Sequence, residues 1–396
     1  MEQPLKGKVY NYGRQSIDEE DVQAVVDVLR GDWLTQGPMI PAFEKALGSL
    51  LGAPHCTVTS NGTASLHLIA LGLGWRKTDI VITSPITFVA SANCIVYAGA
   101  TPDFADIDER SYTIDPEKVE ERILFHKRNG RTVRAVIGVD YAGHPCDWEA
   151  LAALAGKYDL QLVNDHCHAI GSSYGGDPHF AARYADAVNI SFHPVKHITT
   201  GEGGAIVTRH EWLDEKVKLL RNHGLTKDPA QMGSHDGPWY YEMIDLGYNY
   251  RITDFQCALG IRQLAKLDRF VERRKMIAAE YDRAFAGDFR VRIPEVKEGC
   301  LHSYHLYPAR VQFKKLGLTR SQLFEALKSR GIVGQVHYIP IHLQPYYRKL
   351  LGTKAGDYPV GEQFYEEEIS LPCYPTLESA EVGFIVNSIR EVLVTA

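Results

Sequence analysis

Residues 187–208 read AVNISFHPVKHITTGEGGAIVT. The apolar run Ala187–Ile190 reads as a buried strand ending at Ser191, and Ala205–Thr208 reads as a second strand after a tight polar loop. One lysine, Lys196, sits in that loop among two histidines, two threonines and three glycines. Most lysines are solvated surface charges. An amine held in a pocket is different, because burial and nearby positive charge lower its pKa and make it a nucleophile toward carbonyls.

Upstream, further short apolar runs recur at Cys56–Thr59, Ile80–Thr83, Pro102–Ala105, Ala135–Val139 and Leu160–Asn164. Helical patterns lie between several of them, such as Trp148–Tyr158, which predicts a mostly parallel α/β sheet with helices on both faces. Ligands of such sheets bind beyond the carboxyl ends of the strands. Ser16 and Glu19 have the spacing of a capping box and open a helix to Arg30; Pro41–Leu51 is a second amphipathic helix. After about Tyr250 the texture changes. Thr253–Phe285 reads as one or two long helices, His302–Phe313 and Ile332–Tyr338 as strands, and Thr319–Arg330 and Ser379–Val394 as helices. This predicts a large α/β domain over 16–250, then a connector helix and a smaller α+β domain over 251–396.

The 396 residues suffice for two or three domains, and the net charge of -6 gives no reason to expect nucleic acid or an anionic membrane as partner. The sequence has no apolar run of membrane-spanning length, and its opening stretch MEQPLKGKVYNYGRQ lacks the apolar core of a secretory leader, so none is expected. The seven cysteines are scattered and never spaced CxxC, so small buried hydrophobes in a reducing cytoplasm are expected, with neither disulfides nor a metal site.

Three stretches carry potential chemistry. Ser60-Asn61-Gly62-Thr63 turns from strand into helix and suits a phosphate, or is simply a helix cap. Asp165 follows a strand directly and needs a cationic or hydrogen-bonding partner if buried; the alternative is an Asx-turn. His166 and His168 flank Cys167, but no further ligands at metal spacing accompany them. Ser191 and Lys196 share one loop. Phosphate site, carboxylate and lysine together are what pyridoxal phosphate requires, and Phe88 is either a cover for its ring or a core aromatic.

SNGTASLHL at 60–68, SPITFVASAN at 84–93, VNDHCHAIG at 163–171, SFHPVKHITTGEGGAI at 191–206, GYNYRITDFQCALG at 247–260 and HYIPIH at 337–342 together resemble the sugar aminotransferases of the DegT/DnrJ/StrS family. The resemblance runs from about Tyr12 to the C-terminus. It implies the type I fold of pyridoxal-phosphate transferases, with residues 1–30 able to pack on the smaller domain. It implies Lys196 as the Schiff-base lysine and proton shuttle, Asp165 as partner of the pyridinium nitrogen, and His168 near the phenolic oxygen. Phe88 would stack on the ring, and Gly62, Thr63, Ala64 and Ser191 would hold the phosphate. Asn249 would reach in from a neighbouring subunit, which implies a homodimer. Trp33, Thr35, Gln36, His193, His223, His337 and Tyr338 fall where relatives meet the sugar nucleotide, and Arg251, which follows Asn249 in the same motif, is a further candidate for substrate binding.

The family's dehydrating members carry His in place of the lysine, so Lys196 favours transamination. The opening stretch YGRQSIDEEDVQAVVDVLRGDWLTQGP looks most like the branch serving pseudaminic acid biosynthesis. That branch aminates UDP-2-acetamido-2,6-dideoxy-β-L-arabino-hexos-4-ulose from L-glutamate. The alternative is another keto sugar nucleotide, of the UDP-bacillosamine, GDP-perosamine or dTDP-amino sugar type. Three stretches depart from the common pattern: Asn164, His166, and the pair Asp140-Tyr141 after Val139.

Overall fold

The computed structural model describes residues 8–394. One sheet holds β1 (His55–Thr59), β2 (Asp79–Thr83), β3 (Thr101–Phe104), β4 (Thr132–Val139), β5 (Gln161–Asp165), β6 (Ala187–Ser191) and β7 (Gly204–Thr208). Their spatial order is β1-β7-β6-β5-β4-β2-β3. Strands β6, β5, β4, β2 and β3 pair in parallel, and β7 runs antiparallel to both of its neighbours. The stretch 187–208 is therefore a strand, a loop across the carboxyl edge, and the one returning strand.

Alternate residues of each strand supply two separate cores, as the two-residue period requires. Ile82, Val136, Leu162 and Val188 face one layer, covered by α2 (Met39–Leu51), α5 (Pro116–Arg128) and α6 (Trp148–Tyr158). Val81, Ile137, Val163 and Ala187 face the other, covered by α3 (Gly62–Gly72), α4 (Ala90–Tyr97) and α7 (Glu211–Arg221). Burial on both faces is why these strands read as continuous apolar runs.

A second, antiparallel sheet joins β8 (Val291–Arg292), β9 (Tyr307–Val311) and β10 (Glu368–Leu371). Its core takes Tyr307, Val311, Ile369 and Leu371 with residues of α10 (Arg320–Lys328) and α11 (Ser379–Val394). Helix α8 (Asp254–Leu264) leads into α9 (Leu267–Phe285), which serves both cores. Leu267, Phe270 and Val271 pack in the large one, and Ile277, Tyr281 and Phe285 in the small one. Tyr10 is buried in the small core and pairs with the backbone of Gly331 and Val333. Helix α1 (Glu19–Arg30) packs on α8, with Asp21 taking bonds from Gln263 and Lys266.

Two local expectations are corrected. The first helix is capped by Asp18 and Asp21, not by Ser16 and Glu19, because the two aspartates bond each other's backbone N–H reciprocally. Residues 332–338 do not form a strand. Their backbone makes single bridges, Ile332 to Tyr10 and Gln335 to Ser370, so no ladder propagates. Five cysteines are buried, whereas Cys167 and Cys300 are only half-buried; all seven are free. Among the described residues no helix is long and apolar enough to cross a membrane, and no group of three or more His, Cys, Asp or Glu is placed to hold a metal ion.

Candidate active site

The carboxyl ends of β1, β2, β5 and β6 open into one cavity of about 760 Å³, closed on its far side by residues 335–338. Gly62, Thr63, Phe88, Asp165 and His168 line it, together with Ser191, His193, Lys196, His337 and Tyr338.

At one end stands the N-terminus of α3. Asn61 caps it by accepting the Ala64 N–H at 2.8 Å, so Ala64's donor is taken. The N–H groups of Gly62 and Thr63 have no intrahelical acceptor and add to the positive end of the dipole. A Cβ on Gly62 would lie 2.9 Å from Ser191 Cβ, and one on Gly204 would lie 2.5 Å from the carbonyl carbon of Asn61. Glycine at both positions lets the β1–α3 turn close onto β6 and β7. The result is a cup of backbone donors with the Ser191 hydroxyl at its rim, fit for a phosphate.

At the other end is Asp165, 6 % exposed. Ser91 Oγ donates to its Oδ2 at 2.7 Å, Asn189 Nδ2 donates to Oδ1 at 3.1 Å, and Thr87 Oγ1 lies 2.9 Å from Ser91 Oγ. These donors engage both carboxylate oxygens and fix the group's direction. Lys196 lines the same cavity. Burial lowers its pKa, while the nearby Cys167 and Asp165 hold it part of the way up. His168 Nδ1 accepts the Ala142 N–H at 3.3 Å, and its Nε2 lies 3.1 Å from Tyr338 Oη. Burial, with the charge of Lys196, keeps the His168 pKa well below the ordinary value. The ring is therefore neutral, with its proton on Nε2. Phe88 is not a core aromatic. It is 53 % exposed, at the mouth, with its centroid 6.0 Å from that of Tyr338.

Two of the positions that depart from the family pattern are partners. His166 Nδ1 lies 2.8 Å from Asp140 Oδ2, and Oδ1 of the same carboxylate takes the Cys146 N–H and the Trp148 indole N–H at 2.8 and 2.9 Å. The pair is buried behind the strand ends, away from the cavity lining.

The remaining sequence candidates lie elsewhere on the chain. Trp33, Thr35, Gln36, His223 and Asn249 are exposed. Thr35 bridges to Thr253, Asn249 bridges to Asn222, and Arg251 Nη1 donates to Asn222 Oδ1 at 2.6 Å. Gln36 and Arg251 line a separate groove of about 390 Å³. Sequence reasoning missed Ser91, Asn189, Tyr12 and Cys167. Asn189 carried a signal, as a lone amide inside an apolar strand that needed a buried partner.

Phosphate cup, doubly hydrogen-bonded carboxylate and an amine of lowered pKa around one cavity, with an aromatic ring at its mouth, fit pyridoxal phosphate. The glycine cradle at 62 is the observation that tests the fit.

Comparison with known proteins agrees. A model described as the DegT/DnrJ/EryC1/StrS aminotransferase family matches residues 15–390. The chain is 37% identical over 382 residues to the UDP-4-amino-4,6-dideoxy-N-acetyl-beta-L-altrosamine transaminase of Campylobacter jejuni subsp. jejuni serotype O:23/36 (strain 81-176), covering 96% of this chain and 97% of that one. The fold matches Helicobacter pylori PseC, an aminotransferase involved in the biosynthesis of pseudoaminic acid, with TM-score 0.88 and 34% identity over 98% of this chain and 100% of that one. It matches the PMP form of Spr1654 from Streptococcus pneumoniae with TM-score 0.87 and 31% identity, over 97% of this chain and 98% of that one.

Proposed function

The chain belongs to the DegT/DnrJ/EryC1/StrS aminotransferase family, and from that premise we propose that it moves the amino group of L-glutamate to C4 of a UDP-linked 4-keto-6-deoxy-N-acetylhexosamine. The chain is a sugar aminotransferase, and its cofactor is pyridoxal 5′-phosphate. The observation that carries the reading is the convergence of Lys196 and Asp165 on one cavity with the N-terminus of α3, where Gly62 and Thr63 N–H have no intrahelical acceptor. The altrosamine transaminase relative supports the choice of sugar.

When bound, the cofactor supplies an electron sink for the carbon that loses a proton. The residues supply the rest. Gly62 and Thr63 N–H and the Ser191 hydroxyl hold the phosphate dianion. Asp165, oriented by Ser91 and Asn189, would hold the ring nitrogen and favour its protonated form by opposite charge. Lys196, with its pKa lowered by burial, would hold the aldehyde and, once released, could accept and return a proton at its Nζ. His168, which lines the cavity beside Tyr338, would sit near the cofactor's phenolic oxygen.

Asn249, with Trp33, Thr35, Gln36, His223 and Arg251, serves the cavity of a second copy in a homodimer. Two facts support this. These residues stand outside their own chain's cavity, and the segment before Asn249 exposes large apolar side chains, among them Trp239 at 71 % and Leu246 at 72 %.

The test is product analysis. The protein is incubated with 15N-glutamate and a panel of 4-keto sugars linked to UDP, GDP or dTDP. Label appearing in the UDP-4-keto-6-deoxy-N-acetylhexosamine supports the proposal. Faster amination of a GDP- or dTDP-linked sugar refutes the choice of substrate, and no labelled sugar at all refutes the activity.

A further inference from the structure

His337 lines the cavity, yet its Nδ1 points away from it, 2.7 Å from Ser370 Oγ. Nε2 is thus the nitrogen left for the cavity. Ser370 Oγ also lies 2.6 Å from Glu368 Oε1, and Glu368 Oε2 accepts the backbone N–H of His337 at 2.9 Å. Glu368 and Ser370 stand two apart on one face of β10, and both are buried, at 0 % and 1 % exposure.

The Ser370 hydroxyl has one proton and two claimants. If the carboxyl is ionised it can only accept, so Ser370 donates to Glu368. The serine oxygen must then accept from His337, which puts the ring proton on Nδ1 and leaves Nε2 a bare acceptor. If the carboxyl is protonated, Oε2 is occupied by the His337 N–H, so the acid proton sits on Oε1. It donates to Ser370, and Ser370 donates to Nδ1. The ring proton is then on Nε2, which becomes a donor.

We propose that Glu368 and Ser370 form a relay that sets the tautomer of His337, so that one proton gained or lost at Glu368 switches the cavity-facing Nε2 between hydrogen-bond donor and acceptor. Both are positioning residues, since neither lines the cavity. Burial raises the Glu368 carboxyl to about 8, so the switch falls near neutral pH. Burial and the charge of Lys196 lower His337 to about 3, so the ring stays neutral and changes only its tautomer.

The surroundings allow this. Arg320 of α10 opposes the rise at Glu368 in part. Tyr141, whose hydroxyl donates to the His337 carbonyl, and Tyr338 have their pKa raised well above the phenol value by burial, so neither titrates in this range. The Tyr12 ring packs 4.6 Å from the His337 ring, and its pKa is also raised. Accept-only groups such as a ketone, an acetamide carbonyl or a phosphoryl oxygen are held only by the donor form. This last step rests on the proposed sugar-nucleotide reading of the cavity.

The test uses holoenzyme labelled with 15N-histidine, with His337→Gln used to assign the resonances. Long-range 1H–15N spectra at pH ~6.5 and ~9.5 bracket the titration and report the tautomer directly. Wild type should pass from Nε2–H to Nδ1–H with a midpoint near pH 8. Glu368→Gln should hold Nε2–H at both ends, and Ser370→Ala should abolish the transition. One tautomer throughout in wild type, or a transition surviving in Glu368→Gln, overturns the relay and leaves the proposed activity untouched. KM for the keto sugar nucleotide should rise roughly threefold to tenfold across the transition, one neutral hydrogen bond's share, in wild type and not in Glu368→Gln. A tautomer change without that KM change upholds the relay and removes the sugar nucleotide from Nε2.

Discussion

Replacing Gly62 by alanine sets two physical effects against each other. Gly62 is the first residue of α3, and helix propensity alone would reward alanine there by up to ~1 kcal/mol. Sterics oppose it. The added methyl would stand 2.9 Å from Ser191 Cβ and 3.4 Å from Ser191 Cα and the Ile190 carbonyl oxygen. None of these atoms is the free end of a flexible side chain. The turn cannot back away either, because Gly204 already admits Asn61 with no room to spare. Overpacking of this kind costs about 1–3 kcal/mol, so the net effect is destabilisation by roughly 1–2 kcal/mol.

The displaced Ser191 hydroxyl should also lose its bond to the phosphate, weakening cofactor binding about tenfold to a hundredfold. Thermal melting of the apoprotein reads the first quantity, and titration of apoprotein with pyridoxal phosphate reads the second. Gly383→Ala is the control. It lies inside α11 with nothing within 4 Å of the added methyl, and should raise the melting point. A Gly62→Ala protein that binds the cofactor within about twofold of wild type would refute the phosphate cup.

Three other outcomes are expected. Lys196→Ala should lose the visible absorbance of the bound cofactor and all turnover; retained glutamate-dependent activity would remove Lys196 from its role. Asn249→Ala and Lys196→Ala, each inactive alone, should recover about a quarter of wild-type activity when refolded together, since half the dimers are mixed and each mixed dimer has one intact site; no recovery would show that Asn249 serves its own chain. Glu368→Gln should melt higher than wild type at pH 8 and above, with a smaller gain toward pH 5. The folded protein keeps the Glu368 proton up to about pH 8, whereas the unfolded chain releases it near 4.5, so wild type loses a few kcal/mol as pH rises through that window. Equal melting curves at both pH values would contradict this.

Much of the site was legible because its chemistry hangs on strand ends. Gly62, Asp165 and Ser191 each follow an apolar run, and a parallel sheet gathers such ends on one edge. What the chain order hid were partners from distant segments. Ser91 meets Asp165 only because β2 and β5 flank β4, and that order is not written in either strand. Asp140 and His166 looked like two unrelated departures until adjacent strands brought them together. Ser370 and Glu368 alternate like any strand pair, and only the irregular path of 332–338 lays His337 across them. That path was misread as a strand because its apolar spacing mimics one, while its bonding partners belong to two different segments.

Helix α9 is rooted in two hydrophobic cores, and Arg274, fully buried midway along it, grips the carbonyls of Cys373, Tyr304 and His305. A rod clamped at both ends cannot serve as a hinge without tearing close packing at one of them. The two lobes of one chain are therefore tied through α9, and separating them costs packing at one core or the other. The cavity meets solvent at the mouth beside the exposed Phe88, the doorway that a second copy would flank in the proposed dimer.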